Sequence, residues 1–282
     1  MTLLARVNEC NAHDLGNFLP FFVEGTRVGW VKKPFALRLA RFGEEFAVAA
    51  DAVAIAPHLA TTEARSAAMA RVVARLVEDG AVRNARGEMY GVGTDFAAPP
   101  LLKMERAAAP LFGVRAYGVH LNGFVRMADG TVHLWVGHRS TTTANFPGEL
   151  DNLVAGGQPV GLGLAENLVK ECGEEASIPP ELARCAVPVG CVSYCLETEE
   201  GLRPDVLFCY DLDLPPDFVP RNNDGEVASF YLWPVEKVMQ VVASTREFKF
   251  NCNLVNIDFF VRHGYLKPDH PDYVRILHGL HA

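Results

Sequence analysis

The sequence predicts an α+β protein in two units, a small α+β unit over residues 1–112 and a larger one over residues 113–282. Three observations carry that expectation. Residues 61–79 (TTEARSAAMARVVARLVED) have helical periodicity and are preceded by short apolar runs that alternate as strands do. From residue 116 the pattern changes to strand, turn and strand. A second amphipathic helix then follows at 164–176, ahead of further apolar runs.

In chain order, residues 13–24 (HDLGNFLPFFVE) read as a helix, and FALRLA and EFAVAADAVAI as strands. The helix at 61–79 opens on threonine caps with Glu63 in its first turn and closes before Gly80. AYGVHLNGFVRM and VHLWVGHRS flank Asp129-Gly130, the dipeptide favoured by tight hairpins. A loop rich in Thr, Asn, Pro and Gly runs to residue 149, before the helix at 164–176. The runs at 185–196 and 205–212 are expected as strands and 234–243 as a helix.

Composition narrows the function. Of the 282 residues, 49% are hydrophobic and 21% charged, which is ordinary for a globular chain. A net charge of -8 argues against nucleic acid as a partner, because such binding needs clustered cations. No apolar run nears the roughly 20 residues that span a bilayer, so no membrane partner is expected. MTLLARVNECNAHD lacks a signal-peptide pattern, so a cytoplasmic location is expected. The seven cysteines contain no C-x-x-C pair and read as reduced thiols. Cys191 and Cys195 come closest to a ligand pair, but they lie in an apolar stretch and zinc is not expected.

The chemistry concentrates in residues 156–178, GGQPVGLGLAENLVKECGEEASI. On a helix, Glu171, Glu174 and Glu175 stand at i, i+3 and i+4 and project from one face. Leu168, Val169, Cys172 and Ala176 form the neighbouring apolar face, whose burial against a sheet would fix where the carboxylates point. Like charges at this spacing repel, and Lys170 offsets only part of that. Mg²⁺ suits the remainder, since it takes one or two protein carboxylates and completes its shell with phosphate oxygens and water; Mn²⁺ is the alternative. Gly156, Gly157, Gly161 and Gly163 let backbone approach a ligand closely. Charge pattern alone leaves a merely solvated helix face equally open.

These residues resemble the Nudix box, G-x5-E-x7-R-E-U-x-E-E-x-G-U, with U a bulky apolar residue. Gly156 matches the opening glycine, Glu171 the first late glutamate, Glu174 and Glu175 the paired glutamates, and Ile178 the closing apolar residue. Three positions depart from it: Leu162 stands for the early glutamate, Lys170 for the arginine and Ser177 for the final glycine. VGWV, RGEMY, MERAAAPLFGVRAYGVHLNGFV, GHRSTTTANFPGELDNLVAGGQP, DGEVASFYLWPVEKV and NCNLVNIDFFVRHGYLKPDHPDY extend the resemblance to the Nudix subfamily related to thiamine pyrophosphokinase, which carries an extra N-terminal domain.

The resemblance implies an α/β/α sandwich with a mixed sheet in the second unit. It implies metal held by Glu171, Glu174, Glu175 and the Gly156 carbonyl, with Glu171 as base or bridging ligand and Lys170 orienting a catalytic glutamate. Glu226, in the turn Asp224-Gly225-Glu226, is expected as a further catalytic acid, and Arg139, Ser140 and Gly157 as contacts to a small diphosphate substrate. The implied activity is Mg²⁺-dependent hydrolysis of thiamine diphosphate, or its oxidised analogues, to the monophosphate. Two alternatives remain open: a nucleoside diphosphate derivative such as ADP-ribose or a dinucleotide as substrate, and a ligand-binding protein without turnover, motivated by Leu162 and Lys170. Asn251 and His263, and the aromatics Trp30, Tyr90 and Phe146, are further candidates for which plain packing is the commoner role. The N-terminal unit is expected to wall the substrate pocket or to form a homodimer interface.

Overall fold

A computed structural model describes residues 2–143 and 145–282; Ala144, in the Thr-rich loop, lies outside them. The chain opens with helix α1 (Leu3–Cys10), capped by the Thr2 hydroxyl, which accepts from the Ala5 amide. Strands β1 (Phe18–Val23) and β2 (Thr26–Lys32) follow as a hairpin, then α2 (Lys33–Leu39), β3 (Phe46–Val48), β4 (Val53–Ile55) and α3 (Thr62–Glu78). These strands form a four-stranded sheet in the order β2-β1-β4-β3. Beyond α3, β5 (Met89–Val92) and β6 (Leu102–Glu105) form a separate two-stranded ribbon, and α4 (Ala109–Phe112) leads into the second unit.

Two expectations for this region are corrected. Residues 13–24 contain the strand β1 instead of a helix. Pro20 would break a helix interior, and Glu24 and Gly25 both have positive φ (50° and 74°), forming the tight turn that suits a two-residue hairpin loop. FALRLA is helical, because Pro34 in the first turn supplies a helix-ready φ and only Phe35, Ala36 and Leu39 need burial. The helix expected at 61–79 is present, with Thr61 capping the Ala64 amide.

The second unit is a mixed seven-stranded sheet. Its strands are β7 (Tyr117–Arg126), β8 (Val132–Arg139), β9 (Leu150–Asp151), β10 (Val154–Gly157), β11 (Val187–Glu197), β12 (Leu202–Asp213) and β13 (Val227–Pro234). The main path runs β11-β12-β7-β8-β13, with β10 paired to β7 and β9 to β8. β7 and β12 are parallel and the other pairs antiparallel, so the mixed sheet and the hairpin around Asp129-Gly130 are both as expected.

One face of this sheet is covered by α5 (Leu164–Ala176) and α6 (Pro180–Ala183), which bury Leu168, Cys172 and Ala176 against Val119, Leu121 and Val154. The other face carries α7 (Val235–Ser244), α8 (Cys252–Arg262) and α9 (Tyr273–Gly279). Helices on both faces make the layered sandwich. α1 joins this second face: Leu3, Leu4, Val7 and Cys10 share a core with α7, α8 and α9, and Asn11 Nδ2 donates to the Gly279 carbonyl at 2.8 Å. The first helix thus packs with the second unit, although it falls within the segment assigned from sequence to the first. Among the described residues no helix is long and apolar enough to cross a membrane.

At the C-terminus of α5, Ser177 is left-handed (φ 53°), where glycine would be unstrained. Its hydroxyl donates to the Arg221 carbonyl at 2.7 Å and offsets that strain. Ser177→Gly is therefore expected to change stability by less than about 0.5 kcal/mol, while Ser177→Ala, which loses the bond and keeps the strain, costs about 1 kcal/mol. Urea unfolding measures both; a Gly variant clearly more stable than the parent would show that the hydroxyl contributes nothing.

Candidate active site

Where β10 leaves the sheet, a cleft of about 500 Å³ opens between the two units. Gly156, Gly157, Lys170, Glu171, Glu174 and Glu175 line one side. α5 aims them there because its apolar stripe is fixed against β7 and β10. Gly156 is required locally, since any Cβ on it would run into the Glu171 side chain. Gly157 is required as well, because a Cβ there would strike the Tyr90 hydroxyl. Its carbonyl accepts from Asn167 Nδ2 at 2.8 Å, so a buried side chain of α5 holds the glycine loop against the helix.

The three glutamates occupy different environments. Glu175 is buried, accepts from the Ala155 amide at 2.8 Å, and has its proton affinity pushed well above the ordinary range by burial and by nearby Asp151. Glu171 is largely buried and is also shifted upward, by burial and by Glu174 and Glu88, against the pull of Lys170. Glu174 is the exposed member. Lys170 Nζ bridges Glu171 at 3.0 Å and Glu174 at 2.7 Å; burial opposes its charge, but the two carboxylates push its pKa up to about 12.

These carboxylates fit a hard divalent cation on the evidence of their own burial. Glu175 carries a buried acid with a neutral amide as its hydrogen-bond partner, an arrangement a cation would relieve. They do not form a tight closed cage. Among the described residues, the one group of ligand atoms lying within 4.8 Å of one another is His120, Asp151 and Cys252. A loosely gathered set is what Mg²⁺ requires, since it keeps several positions for water and phosphate. The His120 group is already committed elsewhere: Cys252 Sγ donates to Asp151 at 2.7 Å, and Arg139 (3.0 Å) and Lys249 (3.5 Å) pair with the same carboxylate. Burial depresses the His120 pKa to about 4 and leaves it neutral.

The other expected residues separate clearly. Arg139 lines the cleft, but its side chain is 8% exposed and all three nitrogens are engaged, by Asp151, by the Asn145 carbonyl and at 3.6 Å by Glu226. Ser140 bonds Thr142 and is not a cleft wall, whereas Thr143 is. Glu226 reaches the cleft with Arg86 Nη1 at 2.8 Å; burial raises its proton affinity, but Arg86 and Arg139 outweigh that and lower it. Asn251, Tyr90 and Phe146 line the cleft, while Trp30 does not and instead has Arg27 over its ring at 4.8 Å. His263 is elsewhere, bonded to Asp211 at 2.7 Å and stacked on Phe259. Leu162 stays in the loop, its carbonyl accepting from Gln158.

Several cleft residues carried no assignment from sequence. Arg86, Glu88 and Arg106 come from the N-terminal unit, and Tyr194 and Asp205 from β11 and β12. The first three lie in the stretches RGEMY and MERAA, where the resemblance was visible but no chemistry attached to it. The Tyr194 hydroxyl donates to Asp205 at 2.7 Å, and only the pairing of β11 with β12 brings the two together.

A family described as a domain of unknown function (DUF4743) matches residues 2–116. Nudix hydrolase 20, chloroplastic, of Arabidopsis thaliana is 43% identical over 286 residues, covering 98% of this chain and 76% of that protein. Nudix hydrolase 24, chloroplastic, of the same plant is 45% identical over 281 residues, covering 98% of this chain and 77% of that protein. Among solved structures, the Nudix domain of Shewanella oneidensis NrtR complexed with ADP ribose is 15% identical and superposes with a TM-score of 0.42, covering 55% of this chain and 91% of that one. The match to the two plant hydrolases covers 98% of this chain and so takes in both units, and the chain belongs to the Nudix hydrolase family.

Proposed function

We propose that this enzyme hydrolyses the diphosphate of a thiamine-type substrate, thiamine diphosphate or an oxidised analogue, to the monophosphate. Glu171, Glu174 and Glu175 would hold Mg²⁺, with Mn²⁺ as a substitute. Bound there, the metal would supply charge neutralisation for the phosphoryl group and acidify water. Glu171 is the better base. Its raised proton affinity suits it to take a proton from water, whereas Glu226 is held by Arg86 and Arg139 in its ionised form. Glu226 then acts as an anchor that fixes the N-terminal unit to the catalytic loop through Arg86.

The observation that carries the substrate class is the cleft's other side. Asp205 faces it with Tyr194, beside Phe250, whose ring centroid lies 5.5 Å from that of Tyr194 and 5.6 Å from that of Phe146. Burial raises the Asp205 proton affinity against the pull of Arg203, Tyr194 and Arg106, so it gains from a donor that neutralises it. Aromatic rings beside a carboxylate suit a cationic or amino-bearing heterocycle. A volume of about 500 Å³ is of the size that encloses a small organic diphosphate.

The test is a panel of thiamine diphosphate, its oxidised analogues, ADP-ribose and dinucleotides, with Mg²⁺, Mn²⁺ or chelator and with products identified. The expected result is orthophosphate plus a thiamine-type monophosphate, metal-dependent, and faster than any nucleotide release. Faster release of AMP would move the substrate to the nucleotides. Tight binding with no turnover of any compound would leave a ligand-binding protein.

A further inference from the structure

The cleft holds several cations, and what each is bonded to decides which can receive a diphosphate. Lys170 is spanned between Glu171 and Glu174, and Arg139 has every nitrogen in use inside the protein. Arg106 differs. Its side chain is 46% exposed against 8% for Arg139, and among the described residues its one side-chain hydrogen bond is from Nη1 to Glu88, at 2.7 Å. Arg106 lines the cleft, and Nε and Nη2 have no hydrogen-bond partner among those residues.

Its position is fixed from two directions. The Arg106 amide donates to the Glu88 carbonyl at 2.8 Å while the side chain bonds the Glu88 carboxylate, so the residue just ahead of β5 holds both ends. Nη1 lies 3.3 Å from where a Gly157 Cβ would stand, which places the guanidinium over the glycine loop. Burial works against its charge, but the carboxylates of Glu88 and Glu171 favour it.

We propose that Arg106, supplied by the N-terminal unit, is the residue that grips the substrate's diphosphate, forking Nε and Nη2 onto phosphate oxygens above Gly157 while Glu88 holds Nη1. A planar guanidinium fixed at one nitrogen presents its remaining donors in the geometry that two phosphate oxygens accept. This rests on the diphosphate reading of the site and extends it: the second unit carries the metal ligands, and the first carries the phosphate clamp.

The experiment compares full-length wild type, Arg106→Ala and Arg106→Lys by calorimetric titration with magnesium pyrophosphate, by titration with free thiamine, and by steady-state kinetics. Arg106→Ala is expected to weaken pyrophosphate binding about 10- to 100-fold and to raise KM for the diphosphate substrate comparably, with free thiamine binding unchanged. Arg106→Lys is expected to fall between, because charge survives and the fork does not. Should the alanine variant not fold, the lysine variant carries the comparison alone. Unchanged pyrophosphate affinity in the folded variants, or equal losses for pyrophosphate and free thiamine, overturns the proposal. A wild type that binds pyrophosphate yet hydrolyses nothing in the panel would sink the proposed reaction while leaving the clamp intact.

Discussion

Replacing Glu175 with glutamine is expected to lower kcat by at least about 100-fold while leaving the metal-free protein as stable as the parent, or more so. The amide oxygen still accepts from the Ala155 amide, so the fold keeps its bond. What is lost is a buried charge, which disfavours folding whenever it is ionised. The sign of the pH dependence follows. The folded-state proton affinity of Glu175 is raised well above its ordinary value of 4.5, so its contribution is fully present below that value and is lost as pH rises through the folded one. In chelator, wild-type melting temperature should therefore fall relative to Glu175→Gln as pH climbs above the ordinary carboxylate range. Excess Mg²⁺ should close that gap by stabilising only the wild type. A glutamine variant that retains activity within twofold, or a wild type whose melting point ignores Mg²⁺, would remove Glu175 from the metal site.

A second large effect is expected at Arg139, and it concerns stability more than catalysis. Arg139 and Asp151 form a buried pair at 3.0 Å, with side chains 8% and 5% exposed, and Lys249 and Cys252 also bond Asp151. Removing either partner leaves a buried charge with only its longer-range counter-charge, Lys249 for Asp151 and Glu226 for Arg139, so Arg139→Met or Asp151→Asn should each cost up to about 3–5 kcal/mol. The double variant should cost less than the sum of the two. Chemical denaturation of the three variants measures this. An Arg139→Met protein of unchanged stability with a greatly raised KM would restore Arg139 to the substrate, where the sequence resemblance had put it.

The contrast between Arg139 and Arg106 shows what was legible in the sequence. The glutamate helix could be read from spacing because its chemistry is local: i, i+3 and i+4 share a face wherever the helix sits. β7, β8, β11, β12, α3, α5 and α7 were legible for the same reason, each carrying its own periodicity or turn. The β1–β2 hairpin was missed because Glu24, a residue that rarely takes positive φ, occupies the first turn position where asparagine or aspartate would announce it. Arg106 and Asp205 were illegible as site residues because nothing within a few positions of either marks a ligand. Their placement depends on the β5–β6 ribbon folding over the glycine loop and on the β11–β12 register, both long-range facts.

The docking of α1 among α7, α8 and α9 bears on how the chain matures as it leaves the ribosome. Leu3, Leu4 and Val7 are made well before much of the surface that shelters them, which α7, α8 and α9 supply between Val235 and Gly279. Helix α1 must wait, greasy side uncovered, until those helices are made, while the four-stranded sheet that follows it can already settle. Making those helices ties α1 down, and a ribosome that stalls ahead of α7 would release a second unit without that clasp.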